Sequence, residues 1–220
     1  RLPDIYDKTL YLHQQKAVEK TLDGRNIVVS TGTGSGKTEC FLIPIINHLM
    51  REKEVYGEIK PGVRALLIYP MNALANDQID RLRRTLAKYP EITFGSYTGQ
   101  TEYKKEKALE IFKKININLE TGEVPVRLEN ELLSREEMKE TPPHILITNY
   151  AMLEYLMLRP EDSVFFEGKY AHSWKFIVLD EAQTYTGSTG IEVSMLMRRV
   201  MAKLHNPQIQ YILTSATLGD

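Results

Sequence analysis

The chain has 220 residues, and its 28 Lys and Arg are balanced by 29 Asp and Glu, for a formal net charge of −1. That balance excludes a globally basic nucleic-acid-binding surface. The single cysteine, Cys40, excludes a disulfide framework and a cysteine-based zinc site, and five histidines without ligand spacing supply no other metal site. Hydrophobic residues make up 42%, yet no apolar run approaches the ~20 residues of a membrane span. One large α/β domain in a reducing cytoplasm is therefore expected.

Taken in order, residues 11–22 place Leu12, Gln15, Ala17, Val18 and Leu22 at helical spacing, and Asp23-Gly24 ends that helix. Residues 26–30 read as a first buried strand. A Gly-rich stretch follows, then a helix to about residue 53 in which Pro44 predicts a kink or a tolerated bend. Pro61-Gly62 marks a turn and 64–69 a second strand. Pro70-Met71-Asn72 is a loop, with Asn72 the expected N-cap of a helix over 73–88 whose inner face carries Leu74, Ile79, Leu82 and Leu86. Residues 92–97 form a third strand with Thr98-Gly99 as its exit turn, and 101–114 a charged amphipathic helix.

Thr121-Gly122 suggests a hairpin between 115–119 and 124–128. After Pro142-Pro143 comes a fourth strand, 144–148, and a helix over 149–158 stopped by Arg159-Pro160. A fifth strand spans 174–179. A helix over 190–204 is expected to bury Val193, Leu196, Met197, Val200 and Met201, and 210–214 is a sixth strand. Short β-rich apolar runs alternating with helices mean βαβ units and a parallel sheet buried on both faces. In such sheets ligands collect at the carboxyl ends of the strands. Because the chain stops just after an apolar strand, it is expected to be a fragment of a longer protein.

Three of those strand ends carry chemistry. The first is Ser30-Thr31-Gly32-Thr33-Gly34-Ser35-Gly36-Lys37-Thr38. Small residues let backbone N–H groups turn toward phosphate oxygens, and the helix that follows adds its positive end. Lys37 can reach outer phosphates and the Thr38 hydroxyl can take a place on Mg²⁺. The strict pattern G-x-x-x-x-G-K-[ST] wants Gly where Thr31 stands, so the stretch alone could be a Gly/Ser/Thr-rich turn. The second is Asp180-Glu181-Ala182-Gln183, directly after a buried strand. Buried carboxylates need partners, and beside a phosphate loop Asp180 can hold Mg²⁺ while Glu181 orients and deprotonates a water. In isolation it could be a solvated strand-end pair. The third is Ser215-Ala216-Thr217, whose hydroxyls can bond the acidic loop and relay nucleotide state, although alone it reads as an ST-rich turn.

Together these residues resemble the first RecA-like domain of a superfamily 2 DEAD/DEAH-type helicase. Residues 31–38 look like motif I, Asp180-Glu181-Ala182-Gln183 is a DEAQ variant of motif II, and Ser215-Ala216-Thr217 looks like motif III. The resemblance implies an α/β, RecA-like P-loop NTPase domain with a mostly parallel sheet and helices on both faces. It implies ATP and Mg²⁺ as cofactors. Lys37, Asp180, Glu181 and Gln183 would be catalytic, Thr38 and Asp180 would hold the metal, and Thr31, Gly32, Thr33, Gly34, Ser35 and Gly36 would line the phosphates. His13-Gln14 is similar to the Q motif, with Gln14 reading the adenine edge and Tyr11 or Tyr6 stacking on the base.

The resemblance also implies nucleic-acid contacts at Pro70 and Asn72 (motif Ia), Thr98 and Gly99, and Thr148 and Asn149 (motif Ib). Backbone-directed binding of that kind needs no strongly basic surface. The expected partners are single-stranded DNA, with RNA as the alternative, and a second RecA-like lobe that supplies an arginine finger and is absent from these residues. Residues 1–220 would be the ATP-binding lobe, with an insertion at about 104–141. In style the motifs are nearest to YprA-like bacterial DNA helicases, including phage-defence helicases, which implies movement from 3′ to 5′. A DEAD-box-like RNA helicase would usually show Thr-Pro-Gly-Arg where Asn149-Tyr150 stands. A nucleotide-dependent clamp that does not translocate is the other alternative, against which Lys37 and Glu181 argue. A P-loop kinase-like enzyme is disfavoured by Ser215-Ala216-Thr217.

Overall fold

Among the described residues, seven strands pair in parallel: β1 (Ile27–Ser30), β2 (Ala65–Tyr69), β3 (Phe94–Ser96), β4 (Glu131–Leu132), β5 (Ile145–Asn149), β6 (Phe176–Leu179) and β7 (Gln210–Ser215). Their spatial order is β1-β7-β6-β2-β5-β3-β4. The structure is a computed structural model that describes residues 9–116, 127–204 and 206–216.

The strands alternate their side chains between two cores. Ala65, Leu67, Ile147 and Val178 face α1 (Leu12–Leu22), α2 (Lys37–Tyr56) and α3 (Asn72–Leu86). Leu66, Ile68, Leu146 and Ile177 face α6 (Tyr150–Leu158), α7 (Gly187–Leu204) and the 3₁₀ segment Pro160–Phe165. Helices thus cover both faces, as the unbroken apolar runs require. Each buried Leu, Ile or Val contributes roughly 1.5–3 kcal/mol.

The helices differ from expectation at several points. α1 buries Gln14, Ala17, Val18 and Thr21, while Leu12 and Leu22 are 67% and 41% exposed. Its face is set by the Gln14 amide, which is tied to the Gly-rich loop. α2 runs unbroken across Pro44, within a stretch buried on every side, where packing offsets the ~3 kcal/mol of an interior proline. Met71, not Asn72, is the N-cap of α3, and Asn72 is its first residue. Met201 is 47% exposed, on the solvent side of α7.

The region after β3 departs furthest from expectation. α4 (Lys105–Asn116) starts four residues late and includes Ile115 and Asn116, which were expected in a strand. The rest of the expected hairpin lies outside the described residues. β4 and α5 (Arg135–Glu140) were not foreseen, since two and six residues are too few to show a period. One signal was available for α5. Ser134 and Glu137 form a capping box, with the Glu137 amide donating to Ser134 Oγ at 3.1 Å and the Ser134 amide to Glu137 Oε2 at 3.2 Å.

Candidate functional site

Because every strand pair is parallel, all strand exits fall on one edge. The register Ser30↔Ser215, Leu213↔Leu179, Leu179↔Ile68, Tyr69↔Asn149 and Ile147↔Ser96 sets the candidate residues side by side along it. The Gly-rich loop, Ser215 and Asp180 leave three adjacent strands. Pro70, Asn149 and Thr98 leave the next three.

The loop after β1 is held from three directions. The Thr31 amide donates to Ser215 O at 3.3 Å, which ties β1 to β7. The Thr31 and Ser35 hydroxyls bond across the loop at 2.6 Å. Thr31 therefore needs no glycine-like backbone, and its hydroxyl serves as a staple. From α1, His13 Nε2 donates to Ser35 O and Gln14 Nε2 to Gly36 O, both at 3.0 Å. Gln14 Oε1 accepts the Tyr11 amide at 2.9 Å, so both ends of the expected adenine-reading amide are bonded to backbone. The exposed Tyr11 ring stacks on His13, with centroids 5.8 Å apart and planes 9° from parallel.

Gly34 and Gly36 adopt left-handed backbone, with φ 74° and 77°. A Cβ on Gly36 would lie 2.4 Å from Gln14 Nε2, whereas around Gly32 and Gly34 the space is open. At Gly32 and Gly34 the loop backbone thus faces open space just ahead of the N-terminus of α2, the kind of place where an anion is favoured. Lys37 is nearly buried and donates to Thr31 O at 3.1 Å. The Thr38 hydroxyl accepts a hydrogen bond from the Arg81 guanidinium on α3. Arg81 was missed by sequence reasoning because nothing in the spacing of α3 marks which arginine turns toward α2.

Asp180 is 7% exposed at the end of β6. Thr214 donates its hydroxyl to Asp180 Oδ1, and the Glu181 amide donates to the same oxygen at 3.1 Å. Desolvation pushes the Asp180 carboxyl above the usual range. The Thr214 bond and the Lys37 charge oppose that shift, and the Glu181 charge adds to it. Glu181 itself is left-handed (φ 52°), alone among the described non-glycine residues, a conformation that costs about 1–3 kcal/mol. Its side chain meets Gln183, whose Nε2 donates to Glu181 Oε2 at 2.6 Å. Gln183 Oε1 accepts the Ala216 amide at 3.0 Å, closing a link from the acidic loop to the end of β7. Thr217, the last residue expected there, lies outside the described residues.

Between these groups and α3 lies a cleft of about 310 Å³, lined by Tyr69, Asp77, Arg81, Arg84, Asp180 and Glu181 among others. No cluster of three or more His, Cys, Asp or Glu among the described residues could cage a metal. One carboxylate and one hydroxyl fit a divalent cation that takes its remaining ligands from water and phosphate. The open side of the loop, the buried Asp180 and the cleft beside them together fit a magnesium–nucleotide.

Along the edge, Asn149 Nδ2 donates to Asn72 Oδ1 at 2.6 Å, and Asn149 Oδ1 accepts the Met152 amide at 2.7 Å, capping α6. Pro70 sits beside this junction at the end of β2. Thr148 is fully buried, and its hydroxyl donates to Tyr97 O at 2.7 Å, so it braces the Thr98-Gly99 loop and is not presented to solvent. Thr98 is likewise buried. Its carbonyl accepts Arg135 Nη2 at 2.9 Å, and the Arg135 guanidinium lies 5.1 Å over the Tyr97 ring. No helix among the described residues is long and apolar enough to cross a membrane.

The sequence pattern of the DEAD/DEAH box helicase family matches residues 11–124 and 107–220. The Druantia protein DruE of Escherichia coli (strain UMEA 4076-1) is 34% identical over 96% of the chain, which spans 16% of that protein. The uncharacterized ATP-dependent helicase YprA of Bacillus subtilis (strain 168) is 28% identical over 96% of the chain, which spans 23% of YprA. Among solved structures, the DUF1998 helicase MrfA bound to DNA and AMPPNP is 27% identical over 96% of the chain and 24% of its own, with a TM-score of 0.67. These likenesses bear out the RecA-like α/β fold and the resemblance to YprA. The chain spans a quarter or less of these relatives.

Proposed function

We propose, on the premise that the chain belongs to the DEAD/DEAH box helicase family, that it is the ATP-binding lobe of an ATP-dependent DNA helicase or translocase. The observation that carries this is the adjacency of β1, β7 and β6, which brings the Gly-rich loop, Ser215 and Asp180-Glu181 to three neighbouring strand ends. In this reading the amides of residues 32–36 and Lys37 bind the nucleotide phosphates. Thr38 and Asp180 hold Mg²⁺, whose charge offsets that of the phosphates when bound. Glu181 accepts a proton from the attacking water, and Gln183 fixes the carboxylate that does so. Tyr11 would stack on the base, Gln14 would hold the Gly-rich loop through its two backbone bonds and would have to give one up to read an adenine edge, and Ser215, Ala216 and Thr217 would pass nucleotide state to the rest of the lobe.

Single-stranded nucleic acid would run along the other half of the edge, against Pro70, Asn72, Gly99 and Asn149. The buried Thr98 and Thr148 shape that surface from beneath. DNA is favoured over RNA by the likeness to MrfA, which was solved with DNA bound. Residues 1–220 would form one lobe, with 104–141 inserted and a second RecA-like lobe supplying the arginine finger. The isolated 220 residues would then bind ATP weakly and hydrolyse it very slowly.

The test is ATP turnover by the full-length protein with oligo-dT, with oligo-U and with neither. DNA-stimulated turnover is expected, lost in Lys37→Ala and cut about 10²–10⁴-fold in Glu181→Gln. Turnover at the parent rate in Glu181→Gln would refute the catalytic assignment, and stimulation by RNA alone would refute the DNA assignment. Strand displacement measured in parallel separates a motor from a clamp.

A further inference from the structure

Among the described residues, one arginine reaches the Gly-rich loop's Lys-Thr pair by a hydrogen bond, and it comes from α3. Arg81 donates to the Thr38 hydroxyl, the same oxygen that a bound magnesium–nucleotide would need. Its neighbour Arg83 is engaged elsewhere, paired with the buried Glu131 at 2.8 Å and with Asp80. Among the described residues no carboxylate lies within 4.0 Å of the Arg81 guanidinium, although Asp180 and Glu181 line the same cleft. Arg81 is therefore a fork of donors at the phosphate loop with a neutral hydroxyl as its partner and no anion.

Two physical consequences follow. A cation and a guanidinium cannot both approach one hydroxyl lone-pair face closely, because like charges at such range repel strongly. Charge repulsion thus favours release of Arg81 from Thr38 on nucleotide entry, and the nearest new anion is phosphate, which a guanidinium binds bidentately. Second, α3 is a rigid element that begins at Asn72, nine residues before Arg81, or about 13 Å along the axis. Asn72 is bonded to Asn149 at the nucleic-acid half of the edge. One helix thus touches both halves of the site.

We propose that Arg81 is the positioning residue that couples the two halves: it holds Thr38 when no nucleotide is bound, and its release and capture by phosphate shift α3 and the Asn72–Asn149 junction. The inference rests on the ATP-binding reading above. Coupling of this kind is a ratio of affinities, so its signature is not simply weaker binding.

The experiment measures the affinity of the full-length protein for fluorescent mant-AMP-PNP with Mg²⁺, with and without saturating oligo-dT. The parent protein is expected to show a coupling factor of about 5-fold or more. In Arg81→Ala and in Arg81→Met, which keeps an apolar stem on the helix, the factor should fall below about 2-fold while nucleotide still binds. A factor equal to the parent's overturns the inference, as does equal weakening with and without oligo-dT, the mark of a plain phosphate contact. A parent protein that binds Mg²⁺–mant-AMP-PNP but shows no coupling overturns it too. A parent protein that binds no nucleotide refutes the ATP-binding reading itself, and the inference with it.

Discussion

Gln183 donates to Glu181 Oε2 at 2.6 Å and, through its other amide atom, accepts the Ala216 amide at 3.0 Å. The fourth letter of the acidic motif is therefore a tie between two strand-end loops, and it fixes the carboxylate proposed as general base.

Removing that tie should slow catalysis without abolishing binding. A hydrogen bond to a charged group contributes about 1.5–3 kcal/mol. Gln183→Ala is expected to reduce kcat about 10- to 100-fold, with the mant-AMP-PNP affinity nearly unchanged. Gln183→Glu should be worse, because it sets a second carboxylate against Glu181. Steady-state turnover and equilibrium binding on the same preparations check both, and a parent-like kcat in Gln183→Ala would remove Gln183 from the catalytic set.

The three loop glycines should tolerate alanine unequally. Gly32→Ala meets open space at ordinary backbone and should be nearly neutral for folding. Gly34→Ala also meets open space but sits at φ 74°, which costs an alanine about 1–2 kcal/mol. Gly36→Ala adds a clash with the Gln14 amide at 2.4 Å and should be the most destabilising of the three. Urea denaturation midpoints rank them, and a Gly36→Ala midpoint above that of Gly34→Ala would contradict the loop geometry.

Asp180 should be a site where metal-free stability and function oppose each other. Burial raises its carboxyl pKa above the unfolded value, so folding favours the protonated form. The stability this group contributes is present below the unfolded pKa and is lost as pH rises through the folded one. At neutral pH without metal, Asp180→Asn should therefore raise Tm, since Asn keeps an acceptor for the Thr214 hydroxyl and carries no charge. The gain should shrink as pH falls into the carboxylate range. Added Mg²⁺–nucleotide should stabilise the parent protein and not the variant. Thermal melts across pH, with and without Mg²⁺–AMP-PNP, test this, and a lower Tm for Asp180→Asn at neutral pH would refute it.

His144 predicts a second, opposite pH dependence. Burial holds it down from 6.5 to about 4. The ring accepts the Thr93 amide at Nδ1 (2.9 Å) and donates from Nε2 to Lys60 O (3.2 Å), a pattern only the neutral ring satisfies. A depressed pKa gives stability that is present above 6.5 and lost as pH falls toward about 4, on the order of 3 kcal/mol in full. His48, also held down to about 4, adds to the same window. Denaturation midpoints should fall between pH 6.5 and 4, and His144→Gln should flatten part of that fall. An unchanged pH profile in the variant would exclude His144 as a contributor.

The sequence by itself determined the α/β class, the parallel sheet, six of the seven strands among the described residues and the identity of the Gly-rich and acidic loops. Those features are local: apolar runs of strand length, glycines that permit left-handed backbone, and carboxylates that need a reason to follow a buried strand. It did not determine β4 or α5, which are too short to carry a period, nor the face that α1 turns inward, which is set by the bond from Gln14 to Gly36. Only the tertiary structure decided the strand order that sets β1, β7 and β6 side by side. It alone decided that Thr148 is a brace and is not presented to solvent, and that Arg81, of three arginines within four residues, is the one that reaches Thr38. Those outcomes depend on the packing of helices separated by dozens of residues, and no spacing within one segment encodes where a neighbouring helix will lie.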